Sequence, residues 1–462
     1  CRETAAPDAA TPSPQAGPQD WRALDDSLDG HVVMPSNPDF PTGKGLFNTR
    51  FADSTPAAVV SVQSTGDVQK AVAFAAERDV KITVRSGGHS YIGASAANGA
   101  LVVDLRQLTG GIVVDEVSGL ATIPAAAVLN SIHPALNAHG RSIPAGSCPS
   151  VGIPGLTLGG GLGADARQSG LTCDALVSAS VVLPSGEAVT AAHDDHQDLF
   201  WALRGGGANV GVVTSFTFQT FPTVDRDVVS LTFPEEVTAQ AIAGWHGWLR
   251  AADRAIWSMV NVTCSPNTWR CGIVLATPTG NGARIAGDLS AAIGVQPVGN
   301  TTRTLGHLDF VSYFAGGADA MRPRAFVAGS DIIETMTTAA AESIVTAMSA
   351  WSRAIGSATA VIESLDGAVR DIASGDTAFP WRQHAACVQW YVETPSQAAV
   401  TAGDAWLGAA HQAVAANSVG GYVNYVEPAM PAARYFGGNL VRLTAVRQRY
   451  DPNAVMYSNL GF

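Results

Sequence analysis

The chain has 462 residues, 47% of them hydrophobic and 14% charged, a balance that supports a large buried core and excludes a disordered protein. Acids outnumber bases 39 to 27, a formal charge of −12, so no basic field exists to release counterions from a phosphate backbone, and nucleic acid is not an expected partner. No unbroken apolar stretch has the length that a bilayer crossing needs.

The chain starts at Cys1, and residues 2–20 are rich in Ala, Pro, Thr, Ser and Asp, a composition that buries too little apolar surface to fold. Residues 1–29 are therefore expected to form a disordered tether. A leading Cys on such a tether resembles a processed bacterial lipoprotein, pointing to export, to an extracellular or cell-surface place and to a lipid on Cys1; a trimmed chain that happens to begin with Cys is the alternative.

Residues 67–78 place Val68, Ala71, Val72 and Phe74 at helical spacing, with Asp67 near the start as a cap. Residues 81–84 read as a strand running into Arg85-Ser86-Gly87-Gly88-His89-Ser90-Tyr91. A strand at 101–105, another at 120–123 and a helix at 124–139 follow. Between 143 and 163, Gly146, Gly152, Gly155, Gly159, Gly160, Gly161 and Gly163 remove side chains where backbone must approach something closely. Strands are expected at 176–183 and 210–218.

Beyond Phe221-Pro222 the composition shifts. Short apolar strands at 229–233, 258–264, 271–276 and 386–392 alternate with Ala-rich helical stretches at 238–251 and 335–351. Eight of the ten tryptophans fall here (Trp245, Trp248, Trp257, Trp269, Trp351, Trp381, Trp390 and Trp406), and an aromatic-walled pocket competes with core packing as their explanation. The tail reads as a helix stopped at Asp451-Pro452. The fold class is α+β: a first domain over 30–221, a second over 222–421 and a returning segment over 422–462.

Several signatures can be set aside. No P-loop occurs, and Gly159-x-Gly161-x-x-Ala164 matches the dinucleotide fingerprint but follows a Pro- and Gly-rich loop rather than a strand. Ile92 stands where the elbow of a serine hydrolase needs Gly. His193-Asp194-Asp195-His196 lacks the register of a closed metal site and reads as a solvated turn; no metal is expected. Cys264 and Cys271 flank a turn, so a cross-hairpin disulfide competes with two buried thiols. Cys173 and Cys387 read as packed thiols. Cys148 differs, lying in a Gly/Pro-rich turn that no apolar stripe claims, while His89 is framed by Gly87-Gly88 and Ser90 on a loop whose amides can cradle an anion. Two such groups on separate glycine loops invite one common ligand, although a Cys/His pair also fits a thiol protease.

These residues carry a resemblance. The 85–91 segment, Gly146-Ser147-Cys148-Pro149 with Val151-Gly152, Leu156-Thr157-Leu158-Gly159-Gly160-Gly161-Leu162-Gly163, Asp198 to Gly207, Gly211-Val212-Val213-Thr214, Tyr422-Val423-Asn424-Tyr425 and Tyr435-Phe436-Gly437-Gly438-Asn439 resemble, in order, the berberine bridge enzyme-like oxidases of the vanillyl-alcohol-oxidase type. The resemblance implies a PCMH-type FAD-binding domain and an inserted substrate domain whose antiparallel sheet is covered by helices. It implies FAD attached twice, through His89 and Cys148, with Arg85, Ser86, Gly87, Gly88, Ser90, Tyr91, Gly146, Ser147, Val151, Gly152, Gly155, Gly159, Gly160, Gly161, Gly163, Gly211, Val213, Asn424 and Asn439 around it. It implies Tyr425 as the base, Tyr422 as second choice, and Gln389 and Trp390 toward substrate. Val151 matches a position where a small side chain admits oxygen.

The implied activity is oxidation of a small-molecule alcohol, a sugar or oligosaccharide hydroxyl foremost, by hydride transfer to flavin with O2 reduced to H2O2. A tailoring oxidoreductase of secondary metabolism and a flavin-carrying surface protein without turnover are the alternatives. Ala208-Asn209-Val210 departs from the Gly-Asn-Phe usual in the family, and Cys387 stands where other polar residues are often found.

Overall fold

A computed structural model describes residues 16–207 and 210–461; Cys1 and the departure at Ala208-Asn209 lie outside the described residues. Three main sheets build the molecule. The first has four strands in the order His31–Val33, Ala58–Ser61, Leu101–Asp104, Ile82–Arg85, parallel across the last two junctions. Its central strands are apolar runs buried on both faces, as parallel strands must be. The crossover helix Thr65–Arg78 is capped by Ser64, whose Oγ accepts from Asp67 N at 3.1 Å. Asp67 is therefore not the cap: its buried carboxylate takes the amides of Asp29, Gly30 and Gln63, each at 2.9 Å.

The second sheet is antiparallel, in the order Val113–Asp115, Leu120–Pro124, Val212–Gln219, Leu176–Val182, Ala188–Ala192. One hydrophobic cluster joins these two sheets to tail side chains such as Tyr435, Leu443 and Tyr450. That cluster also corrects the tether. Pro18–Ser27 is a helix, and Trp21 and Leu24, each 5% exposed, dock in the cluster with Trp21 against Phe74 at 4.7 Å. Two apolar residues three apart share one helix face and dock it on the core, and an averaged composition hides them. The helix expected at 124–139 runs only Leu129–Asn137.

The third sheet has eight antiparallel strands, ordered Gly299–Leu305, Arg226–Phe233, Trp269–Pro278, Trp257–Cys264, Ala358–Ser364, Ala386–Glu393, Phe326–Ile333, Ser418–Gly420. Side chains alternate across it. Ala358, Ala360, Ile362, Val388, Trp390 and Val392 enter a second cluster under the helices Thr238–Ala251, Gly282–Ile293, Thr338–Ser349 and Gln397–Val414. Glu363, Gln389 and Met259 face the other way, toward the first two sheets.

The alternation explains the tryptophans. Trp245, Trp351, Trp390 and Trp406 are core of the second cluster, Trp248 and Trp269 pack against it, and Trp381 sits in a third. Only Trp257 lines the cavity described below, so the expected aromatic-walled pocket reduces to one indole among eight. Cys264 and Cys271 are both buried free thiols. The register explains why: Cys264 faces Trp269 and Cys271 faces Val262, a diagonal pair whose Cα atoms lie beyond disulfide reach.

Candidate active site

Two loops meet at the seam between the sheets. A Cβ on Gly87 would stand 2.5 Å from Gly152 N and 2.6 Å from Ser150 O, and one on Gly152 would stand 2.1 Å from Ser86 Oγ. Only glycine permits this contact, which sets the 86–90 loop edge to edge with the 146–152 loop on one wall of a cavity of about 440 Å³. The amides of Gly87, Gly88, His89 and Ser90 donate to no acceptor among the described residues, and all four residues line the cavity. Such a run of free N–H groups is a concave anion cradle. Arg85 braces it from behind, its Nε donating to Ser86 O at 2.8 Å and its Nη1 to Gly45 O.

His89 stacks on Phe47 at 3.9 Å and 17°, and its Nε2 lies 2.8 Å from Ser150 Oγ. Burial, reinforced by the Arg85 charge, lowers the imidazole to about 4. It is neutral at pH 7, with a lone pair available as nucleophile. Cys148 opens onto the same cavity. The residue is exposed, yet protein around the thiol desolvates it, so burial pushes the pKa up while Arg324 and Ser147 pull it down.

Across the cavity, Tyr425 Oη donates to Glu363 Oε2 at 3.3 Å, and its ring stacks on Tyr91 at 5.4 Å and 10°. Tyr91 Oη in turn accepts from Gln389 Nε2. Burial raises the Glu363 carboxyl to about 7, against the Tyr425 hydrogen bond that lowers it. Burial first, then the Glu363 charge, lifts Tyr425 well above an ordinary phenol. Tyr422 is placed differently: its Oη accepts from Gly161 N at 2.9 Å and Asn424 Nδ2 at 2.8 Å, which anchors the loop that carries Tyr425.

A free-amide cradle, a neutral imidazole, a thiol and a buried Tyr–Glu pair in one cavity suit a large anionic redox cofactor with a reacting face. The comparisons agree. Residues 56–192 match the family model of an FAD binding domain, and residues 421–461 match that of berberine and berberine-like proteins. An FAD-linked oxidoreductase of Bacillus subtilis, YgaK, is 27% identical, over 93% of this chain and 95% of its own. A carbohydrate oxidase of Microdochium nivale is also 27% identical, over 92% and 91%. The solved glucooligosaccharide oxidase of Acremonium strictum, described by its 6-S-cysteinyl, 8α-N1-histidyl FAD, superposes with a TM-score of 0.87 at 22% identity, over 96% of this chain and 98% of that one. The chain is a berberine bridge enzyme-like FAD-linked oxidase.

In this oxidase the cavity gathers Ser86, Gly87, Gly88, His89, Ser90, Tyr91, Gly146, Ser147, Cys148, Val151, Gly152, Gly155, Gly163, Gly211, Val213, Gln389, Tyr422, Asn424 and Tyr425 from far-separated segments. Six expected residues lie elsewhere. Arg85 stands behind its loop. Gly159, Gly160 and Gly161 do not face the cavity: their amides go to Gly155 O, Thr157 O and Tyr422 Oη, and a Cβ on Gly159 would strike Asn424 Oδ1 at 2.0 Å. Gly159 and Gly161 serve the Tyr422 loop, and a Cβ on Gly160 would meet the Phe379 ring at 3.0 Å. Asn439 donates its amide to the carbonyls of Ser374, Thr377 and Ala378. Trp390, on the opposite face of its strand from Gln389, donates Nε1 to Asp331 Oδ2 at 2.9 Å inside the core.

Glu363 is the residue that reading the sequence missed, because the strand carrying it, Ala358–Ser364, was not expected. The signal is present in Ala-Thr-Ala-Val-Ile-Glu-Ser, where buried and half-buried positions alternate. At Gly163 a Cβ would sit 1.7 Å from Ala145 O. Gly163→Ala therefore forces the 145–148 segment apart and is expected to cost about 1–3 kcal/mol, read as a lower melting temperature together with less flavin bound per chain.

Proposed function

We propose that the enzyme oxidises the hydroxyl of a sugar or related alcohol with O2 as acceptor, on FAD tied covalently through His89 and Cys148. The observation that carries the reading is the Tyr425–Glu363 pair, at 3.3 Å, in the cavity that also holds His89 and Cys148. The name of the Microdochium relative and the two flavin linkages in the description of the Acremonium enzyme support it. FAD, when bound, supplies a hydride acceptor that oxygen can reoxidise with release of H2O2.

The chain's own part is positioning and proton transfer. The amides of residues 87–90 hold the negative charge of the cofactor, and Gln389 with Tyr91 orients the substrate. Tyr425 is too weak an acid to wait as a phenolate, so its Oη takes the proton of the substrate hydroxyl as its own proton passes to the Glu363 carboxylate. The O–H of the substrate and the O–H of Tyr425 break, and an O–H on each of Tyr425 and Glu363 forms. A flavin carrier without turnover has no use for such a relay.

The test is peroxide release by the purified holoenzyme on a panel of mono- and oligosaccharides and simple alcohols. One H2O2 per O2 consumed is expected with at least one of them. If no compound yields peroxide, or bleaches the flavin without air, the reading fails.

A further inference from the structure

The cavity continues past Glu363. Met259 is the cross-strand partner of Glu363, and beyond it Trp257, Phe310, Val311 and Phe314 enclose an alcove to whose wall Ala164 adds only a methyl group. Phe314 stands edge-on to Trp257 at 5.3 Å and to Phe310 at 5.1 Å, so the three rings pack against one another as one aromatic wall.

Polar groups are few and incompletely satisfied. His133, on the helix Leu129–Asn137, is 6% exposed and lines the alcove, and neither ring nitrogen has a hydrogen-bond partner among the described residues. His307 lies behind it, the rings 6.1 Å apart, and is equally unpartnered. Asp165, also on the wall, is already held by Arg226 at 2.6 Å. Buried polar atoms in native proteins are hydrogen-bonded, and each exception calls for an explanation. Burial, with His307 adding to it, lowers His133 to about 4, so at neutral pH it offers one N–H donor and one bare nitrogen acceptor.

We propose that this alcove binds the far end of the substrate, and that this end is a flat, uncharged, largely apolar ring carrying a hydroxyl or carbonyl group. The proposal rests on the oxidase reading for the place of the reacting carbinol at Tyr425. A further sugar unit suits the alcove poorly: its hydroxyls would meet Met259, Phe310, Val311 and Phe314 with nothing to bond to. A charged ring suits it no better, because the imidazole is neutral and the carboxylate is paired. The apolar wall takes the ring, and His133 reads its single polar substituent.

Binding of matched glycosides to the holoenzyme, followed by the flavin absorbance difference, tests this apart from turnover. Phenyl β-glucoside is expected to bind about tenfold more tightly than methyl β-glucoside, because the ring buries apolar surface the methyl group lacks. 4-Hydroxyphenyl β-glucoside is expected to bind more tightly still. His133→Phe should abolish this second gain and leave the first, whereas Phe314→Ala should shrink the first. Equal affinity for phenyl and methyl glucosides in the unmodified enzyme overturns the proposal, whatever the variants do. So does a His133→Phe enzyme whose ligand-free flavin spectrum or potential shifts while the affinity ratios stay put, since His133 then serves the cofactor. Peroxide release is scored separately: its absence with the ratios intact removes the oxidase reading and leaves the ring site standing.

Discussion

Tyr425→Phe is expected to lower the rate of flavin reduction by about 10²- to 10⁴-fold, the usual worth of a positioned proton acceptor, while the flavin stays attached and substrate affinity changes little. The ring and its stack on Tyr91 persist in the variant; only Oη and its 3.3 Å link to Glu363 are lost. Stopped-flow reduction without air isolates this step. A normal rate would move the base elsewhere, with Tyr422 the next nearest phenol and already anchored as an acceptor. The pH profile gives the relay a second signature. Glu363 accepts the Tyr425 proton only when ionised, and with its carboxyl raised to about 7 it is protonated below that pH. The reduction rate should therefore fall as pH drops through about 7. Glu363→Gln should be slow at every pH and lose that limb. A limb that survives Glu363→Gln assigns the titration to another group.

The cofactor side was legible in the sequence because its requirements are local. Gly87 and Gly152 are needed where two loops touch, and His89 and Cys148 stand out because nothing around them in the chain claims them for a core. The catalytic side depends on which face of a strand points at the seam, and that is set by pairing partners far away in the chain. Trp390 and Gln389 are neighbours in sequence and sit on opposite faces; the core took the larger side chain and donated its indole to Asp331. Glu363 became visible only when Ala358–Ser364 paired with Trp257–Cys264 and Ala386–Glu393. Gly159 to Gly161 misled for a related reason: a glycine run signals close approach without saying of what, and here the partners are Asn424 and Tyr422 for Gly159 and Gly161 and the Phe379 ring for Gly160.

The proposed covalent ties yield the other large effect. The intact enzyme should carry roughly 0.8 kDa beyond its polypeptide, the mass of one flavin dinucleotide, and its colour should stay with an acid-precipitated pellet. His89→Ala and Cys148→Ala should each keep a single tie and a yellow pellet; the double variant should release all its flavin to the supernatant. The two linkages are not equivalent chemically. His89 is neutral throughout the physiological range because burial and Arg85 hold it at about 4, so its attack needs no deprotonation. Cys148 reacts as thiolate, and burial keeps that form scarce despite Arg324. In apoprotein refilled with FAD, the His89 tie in Cys148→Ala should form at a rate nearly independent of pH between 6 and 8. The Cys148 tie in His89→Ala should form faster as pH rises. Equal pH dependence in the two variants would mean that attachment is limited by a step common to both, such as closure of the 86–90 loop on the cofactor, and not by the state of either side chain.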